Sequence, residues 1–176
     1  MTGRIIIAGA GGQGIMLLGK ILAEAAMSED KHVTLLPSYG AEVRGGTAHC
    51  MVVISHEKIG SPYITVADIL IAMNNPSLEK FTHKIKNNGL LIINSSLASI
   101  KGPVSQQIIC QPFTDIAVKL GNKKVANMVA LGCLIAKENT VGLKTVIKVI
   151  SRIAPKGKEG LIKINEQALR EGAKLK

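Results

Sequence analysis

Tryptophan is absent from this chain, and tyrosine and phenylalanine occur only twice each. A core must therefore be built from Ile, Leu, Val, Ala and Met. Without aromatics interleaved among its basic residues, the chain also lacks the pattern of a nucleic-acid surface, and no reading helix or recognised module is visible. Cysteine is scarce as well. Cys50, Cys110 and Cys133 are widely spaced and form no CxxC unit, so neither a zinc site nor an iron–sulfur cluster is readable. Cys50 and Cys110 stand in strand-like runs and Cys133 in an apolar helical one, so all three are expected to be buried small hydrophobes. Hydrophobic residues make up 47%, yet no apolar run is long enough to span a bilayer. The first residues lack the basic, apolar and small-residue order of a signal peptide. A cytoplasmic chain without membrane or nucleic-acid partners is expected.

Acid is in short supply too: 12 Asp and Glu face 22 Lys and Arg, a net charge of +10. The excess is uneven, since residues 137–176 hold ten Lys or Arg against Glu138, Glu159, Glu166 and Glu171. A solvated basic helix face accounts for this surplus. A surface that meets phosphates or an acidic partner is the alternative.

What is present begins with an apolar strand, Arg4-Ile5-Ile6-Ile7-Ala8, running into Gly9-Ala10-Gly11-Gly12-Gln13-Gly14. Helical spacing follows at once in Ile15, Leu17, Leu18, Ile21, Leu22 and Ala25. In a turn of this kind Gly9 is expected to let the chain leave the strand. Gly11 would admit a close approach, and Gly14 would let the helix pack on the strand. The first-turn N–H groups then favour an anion. A dinucleotide site also wants an acid at the end of the second strand, about 20 residues on. That strand, His32-Val33-Thr34-Leu35-Leu36, ends in Pro37-Ser38-Tyr39, and Glu29 and Asp30 precede it. The fold signal is intact and the cofactor signal is broken.

Further along, strands are expected at 47–55, 67–73, 90–94 and 107–110, and a helix begins near Asn74-Asn75-Pro76-Ser77. That helix should run through Leu78, Phe81 and Ile85 and close at Asn87-Asn88-Gly89. Helices are expected around 113–120, 125–137, 146–152 and 161–175. This alternation predicts a single α/β domain over 1–176, with a Rossmann-like, mostly parallel sheet and helices on both faces. The stretch Ser38-Tyr39-Gly40-Ala41-Glu42-Val43-Arg44-Gly45-Gly46 then falls at the carboxyl edge of the sheet, where such folds bind ligands. Arg44 offers a planar donor fork for a carboxylate, a phosphate or another chain. A surface pair between Arg44 and Glu42 is the structural alternative. Asp68 is expected to be structural, His49 a satisfied strand histidine, and no metal ligands are predicted.

Together the Gly9–Gly14 and Ser38–Gly46 motifs resemble the gamma subunit of the 2-oxoacid:ferredoxin oxidoreductases. The resemblance continues through Ala67-Asp68-Ile69-Leu70-Ile71-Ala72-Met73-Asn74, Gly89-Leu90-Leu91-Ile92-Ile93-Asn94-Ser95-Ser96 and Asn127-Met128-Val129-Ala130-Leu131-Gly132. It implies a subunit that is inactive alone, partnered by alpha, beta and ferredoxin-like delta subunits. Its complex would decarboxylate a 2-oxoacid oxidatively, with a slight lean to 2-oxoglutarate, pass electrons to ferredoxin and deliver the acyl group to coenzyme A. Thiamine diphosphate and the iron–sulfur clusters would lie on the other subunits, so this chain is expected to hold no cofactor of its own. Cofactor or interface contacts are implied at Gly9, Gly11, Gly12, Gln13, Gly14, Ser38, Tyr39, Gly40, Glu42, Arg44, Gly45, Gly46 and Asn127. The isolated chain is expected to self-associate, as a homodimer for instance. An independent Rossmann-type nucleotide-binding reductase or redox-responsive regulator is the alternative function.

Overall fold

A computed structural model describes residues 2–38, 47–103, 105–155, 157 and 159–175. The first strand, β1 (Gly3–Ala10), is the centre of the molecule: Ile5, Ile6, Ile7 and Ala8 are all fully buried. Burial on both faces is what a continuous apolar run in a covered sheet requires. Helix α1 (Ile15–Met27) follows the glycine loop, then β2 (His32–Ser38), β3 (Thr47–Ser55) and β4 (Ala67–Ala72). Next come α2 (Asn75–Phe81) with a 3₁₀ turn at Thr82–Lys84, β5 (Ile85–Asn94), β6 (Gln107–Gln111) and α3 (Phe113–Lys119). A second 3₁₀ turn at Lys123–Val125 leads into α4 (Ala126–Glu138), α5 (Leu143–Ile153) and α6 (Glu159–Ala173).

Among the described residues, six strands are ordered β2-β3-β1-β4-β5-β6. Strands β1, β4, β5 and β6 are mutually parallel, and β3 runs antiparallel between β1 and β2. The expected mostly parallel α/β sheet is therefore present, with β3 its one reversed strand. One face carries α1, α3, α4, α5 and α6 over Ile5, Ile7, Val52, Ile71 and Ile92. The other is thinner, with α2 and its neighbouring loops over Ile6, Ala8, Met51, Leu70 and Leu91. Both phenylalanines, Phe81 and Phe113, are buried, one under each face.

Helix α4 is buried from Ala126 to Ile135, nearly all round, because it lies between the sheet and α6. The two helix backbones touch there. A Cβ on Gly132 would strike the Leu169 carbonyl, and one on Gly172 would strike the Val129 carbonyl. Helix α2 starts as the sequence suggests, with the Asn74 side chain accepting from Ser77 N–H at 3.0 Å. It ends earlier than expected. Ile85 to Gly89 belong to β5, where the pairing shifts between Ala67–Ile85 and Ile69–Leu90 and Asn88 takes a φ of 62°. The turn signal Asn-Asn-Gly thus marks an irregularity inside a strand rather than a helix end.

Candidate functional site

At the carboxyl end of β1 the chain turns through Gly11, Gly12 and Gln13 into Gly14, the N-cap of α1. Gly12 and Gly14 take φ of 86° and 72°, left-handed values that L side chains adopt with strain. The Gln13 side chain folds back inside the loop: its Oε1 accepts from Ala10 N–H at 2.6 Å and its Nε2 donates to the Met73 carbonyl at 3.3 Å. Gln13 is thus an internal brace. Gly9 remains within β1, and the chain does not turn there. A Cβ on Gly9 would meet Gln13 Oε1 and Ile15 Cδ1, each at 2.6 Å, so that glycine makes room for the brace. The role expected of Gly14 is also corrected. Close helix–strand packing occurs at Gly19, where a Cβ would meet Cys50 Sγ of β3 at 2.5 Å. Gly14 instead abuts Asn127 of α4, whose Nδ2 donates to the Gly14 carbonyl at 3.1 Å. Gly11 faces open space, as the expected close approach requires.

The Met73 carbonyl, just after β4, ties the strand ends together. It accepts from Gln13 Nε2 and from Asn94 Nδ2, and the Met73 N–H donates to the Ala8 carbonyl at 2.9 Å. Asn94 is fully buried at the end of β5. It also donates to Thr114 Oγ1 at 2.9 Å and accepts from Thr114 N–H at 3.2 Å, which seats the first turn of α3. Above this floor an open cleft of about 370 Å³ is lined by Gly11, Gly12, Gln13, Met73, Leu97, Thr114, Lys123, Lys124 and Ala126. It sits between β1 and β4, where the strand order reverses and doubly wound sheets hold their ligands.

The electrostatics of the cleft are one-sided. The N-terminus of α1 has no side-chain cap and no acid in its first turn, so its N–H groups stay available to an anion. Lys123 and Lys124 are exposed at the rim, and among the described residues neither has an acidic side chain within ion-pair distance. Asn122 fixes their turn by accepting from Lys124 N–H at 3.0 Å. The sequence reading missed these lysines together with Asn94 and Thr114. The available signals were an Asn closing an apolar strand and an Asn-Lys-Lys turn opening a buried helix.

Of the second motif, Ser38 is described, paired with His49 at the end of β2. Tyr39, Gly40, Glu42, Arg44, Gly45 and Gly46 lie outside the described residues. The segment's two anchors both stand at the carboxyl edge, because Thr47 pairs with Ala10 beside the glycine loop. His49 departs from expectation. Its ring packs on Phe81 at 4.7 Å between centroids, and its buried Nδ1 has no hydrogen-bond partner among the described residues. Burial, reinforced by the Lys80 and Lys84 charges, pushes its pKa down.

A second cleft, about 290 Å³, opens at the opposite edge between Thr2, Lys31, His56, Asp68, Lys86 and Glu138. Asp68 there accepts from Arg4 N–H at 2.8 Å and pairs with Lys86 at 2.7 Å, a structural role. The thiols do not fit a metal cluster. Cys50 lies under α1, Cys133 is inside α4, and Cys110 is on the edge strand. Cys110 is exposed, contrary to expectation, because the cover that α2 and its loops give this face of the sheet stops short of the last strand. Among the described residues no helix is long and apolar enough to cross a membrane.

Residues 4–175 match the family described as pyruvate ferredoxin/flavodoxin oxidoreductase. The chain is 40% identical to the ketoisovalerate oxidoreductase subunit VorA of Methanothermobacter thermautotrophicus over 97% of its own length. It spans about a third (35%) of that relative. The crystal structure of a keto/oxoacid ferredoxin oxidoreductase gamma subunit from Geobacter sulfurreducens superposes with a TM-score of 0.85 at 30% identity, covering 98% of this chain and 96% of that one. The 2-oxoglutarate:ferredoxin oxidoreductase from Magnetococcus marinus, solved with 2-oxoglutarate, coenzyme A and succinyl-CoA bound, gives 0.89 at 26% identity. This chain is covered to 99% and corresponds to 31% of that one.

Proposed function

Because the chain belongs to the pyruvate ferredoxin/flavodoxin oxidoreductase family, we propose that it works as the gamma subunit of a 2-oxoacid:ferredoxin oxidoreductase, with residues 1–176 as one gamma-type domain. In that role alpha, beta and ferredoxin-like delta subunits supply thiamine diphosphate and iron–sulfur clusters. The assembled enzyme decarboxylates a 2-oxoacid, transfers the acyl group to coenzyme A and passes electrons to ferredoxin. This chain's contribution is to hold the anionic part of coenzyme A. The observation that carries this reading is the cleft between β1 and β4, with open space at Gly11, the uncapped α1 N-terminus and Lys123 and Lys124 at its rim. Backbone N–H groups and two ammonium groups with no acidic partner among the described residues suit phosphate oxygens.

Arg44 and its loop, anchored at Ser38 and Thr47 on the same edge, would add a bidentate grip on that ligand or on a sister subunit. The substrate is 2-oxoglutarate in this proposal. The relatives include a ketoisovalerate enzyme and a 2-oxoglutarate enzyme, so the assay must compare them.

An independent Rossmann reductase is not favoured. Strand β3 separates β1 from β2, which places the end of β2 roughly 10 Å from β1, two strand spacings away. An acid there would stand beyond a ribose held over the glycine loop, and the residue present is Ser38.

The test is reconstitution. The chain is co-expressed with its sister subunits, and coenzyme A-dependent ferredoxin reduction is measured with 2-oxoglutarate, pyruvate and 2-oxoisovalerate, with and without this chain. Activity should require the chain and fall at least tenfold in Lys123→Ala/Lys124→Ala through a raised KM for coenzyme A. Full activity without the chain would overturn the proposal.

A further inference from the structure

Among the described residues, strand β6 bonds to β5 on one side and forms an edge of the sheet on the other. Sheet edges are normally protected by charge, proline or bulges, because bare ones pair with other chains. The opposite edge, β2, carries Pro37 within the strand. Strand β6 has no such device. It reads Gln107-Ile108-Ile109-Cys110-Gln111, and no charged residue stands between Lys101 and Asp115.

The two faces of β6 differ. Ile109 turns into the helix-covered core, while Ile108 is 44% exposed and Cys110 is exposed beside it on the other face. Their neighbours in β5 on that face, Leu91 and Ile93, are fully buried. The cause is the connection from β5 to β6, whose described residues form no helix, so the cover supplied by α2 stops short of the last strand.

Backbone parity adds a second observation. The Gln111 carbonyl accepts from Ser95 N–H. Bonding alternates residue by residue along a parallel ladder, so Gln107, Ile109 and Gln111 turn their peptide groups toward β5. The N–H and C=O of Ile108 and Cys110 therefore point to the free edge.

We propose that this edge pairs with β6 of a second copy of the chain, antiparallel and centred on Ile109. A two-fold axis demands a self-complementary surface, and Gln-Ile-Ile-Cys-Gln is nearly the same in both directions. Gln107 then faces Gln111 of the second copy, Ile108 faces Cys110, and Ile109 faces itself. Each Ile108–Cys110 pair exchanges two hydrogen bonds, using the groups that point outward. Moving the axis to Cys110 would set Ile108 against Pro112, which has no N–H to give. The pairing joins the two sheets edge to edge into one of twelve strands and sets Ile108 of each copy beside Cys110 of the other on the same face.

The register makes a sharp test. Ile108 and Cys110 of the second copy stand about 5.5 Å apart between Cα atoms, within disulfide reach. Two Cys110 residues, or two residues 108, are separated by roughly 8 Å, beyond it. The full chain carrying Ile108→Cys should therefore give a covalent dimer on diamide oxidation, with peptide mapping joining 108 to 110. Wild type and Ile108→Cys/Cys110→Ser should stay unlinked. In sedimentation equilibrium the wild type should move toward twice the chain mass with concentration, and Ile108→Lys should weaken that association at least tenfold with an unchanged circular dichroism spectrum. A wild type that stays monomeric, linkage of Cys110 to Cys110, or undiminished dimerisation of Ile108→Lys would each overturn the pairing. Protection of Cys110 by a sister subunit in a complex holding one copy of the chain would overturn it as well.

Discussion

Asn127 donates a hydrogen bond to the carbonyl of Gly14, and its amide fills the space where a side chain on Gly14 would begin. The contact joins residues 113 positions apart and locks the glycine loop to the buried helix α4. Asn127 Oδ1 also accepts from Met128 N–H at 2.9 Å, so both ends of the amide are used. Asn127→Ala should destabilise the chain by about 1–3 kcal/mol. Asn127→Asp should cost more, since a buried carboxylate would face the Gly14 carbonyl. Urea unfolding measures both, and an Asp variant as stable as wild type would count against this role.

Gly132 and Gly172 allow α4 and α6 to touch at their backbones. Gly172→Ala should cost about 1–3 kcal/mol through overpacking, even though alanine favours helix over glycine. A rise in the thermal midpoint of Gly172→Ala would show that the helices can separate cheaply.

Gly11→Ala and Gly12→Ala should diverge. Gly11 has open space around it and no positive φ, so alanine should leave the unfolding midpoint within about 0.5 kcal/mol of wild type. It should still weaken coenzyme A binding in the assembled enzyme by crowding the cleft floor. Gly12→Ala should lose about 1 kcal/mol from its φ alone. Equal stability losses in the two variants would contradict this division.

Thiol labelling should separate the three cysteines. Burial pushes Cys50 up to about 12 and Cys133 to about 11, so neither forms a thiolate near neutral pH. A dilute native sample at pH 8 should label at Cys110 alone, and a denatured one at all three. Fast native labelling of Cys50 would mean that α1 lifts from β3.

Acid should destabilise the fold in two windows. Burial opposes the charge on Glu29, but hydrogen bonds from Lys31, Thr145 and Gly142 N–H outweigh it and hold the pKa below the usual carboxylate range. His49 is likewise depressed, by burial and then by Lys80 and Lys84. In both cases the folded state binds protons less readily than the unfolded chain. Their contributions are therefore present above the unfolded values and lost as pH falls through the folded ones. For His49 the loss begins below about pH 6.5, and for Glu29 below about pH 4.3. His49→Gln should flatten the upper part of the stability–pH curve, and Glu29→Gln the lower part. Unchanged slopes would rule these groups out.

Much of this was legible in the chain itself. The apolar run Ile5 to Ala8 in β1, the glycine loop after it and the helical spacing from Ile15 fixed a covered sheet with a glycine turn at its carboxyl end. Each of those signals is local, so each survives without knowledge of the fold. The Asn-Pro-Ser start of α2 was legible for the same reason. The end of that helix was not, because Asn87-Asn88-Gly89 has the same local chemistry in a turn as in a strand irregularity, and pairing with Ala67 and Ile69 decided between them. Tertiary structure also decided which partner each glycine accommodates. Gly14 meets Asn127, Gly19 meets Cys50 and Gly172 meets Val129, and none of these distances exists until distant segments pack. It placed Lys123 and Lys124 over the glycine loop, and it left Cys110 at an open edge although its sequence neighbours resemble those of a buried strand. Composition and periodicity determined what this protein is built from and which elements form. Strand order and helix crossings, set by long-range packing, determined which residues face the cleft and which strands stand at the edges of the described sheet.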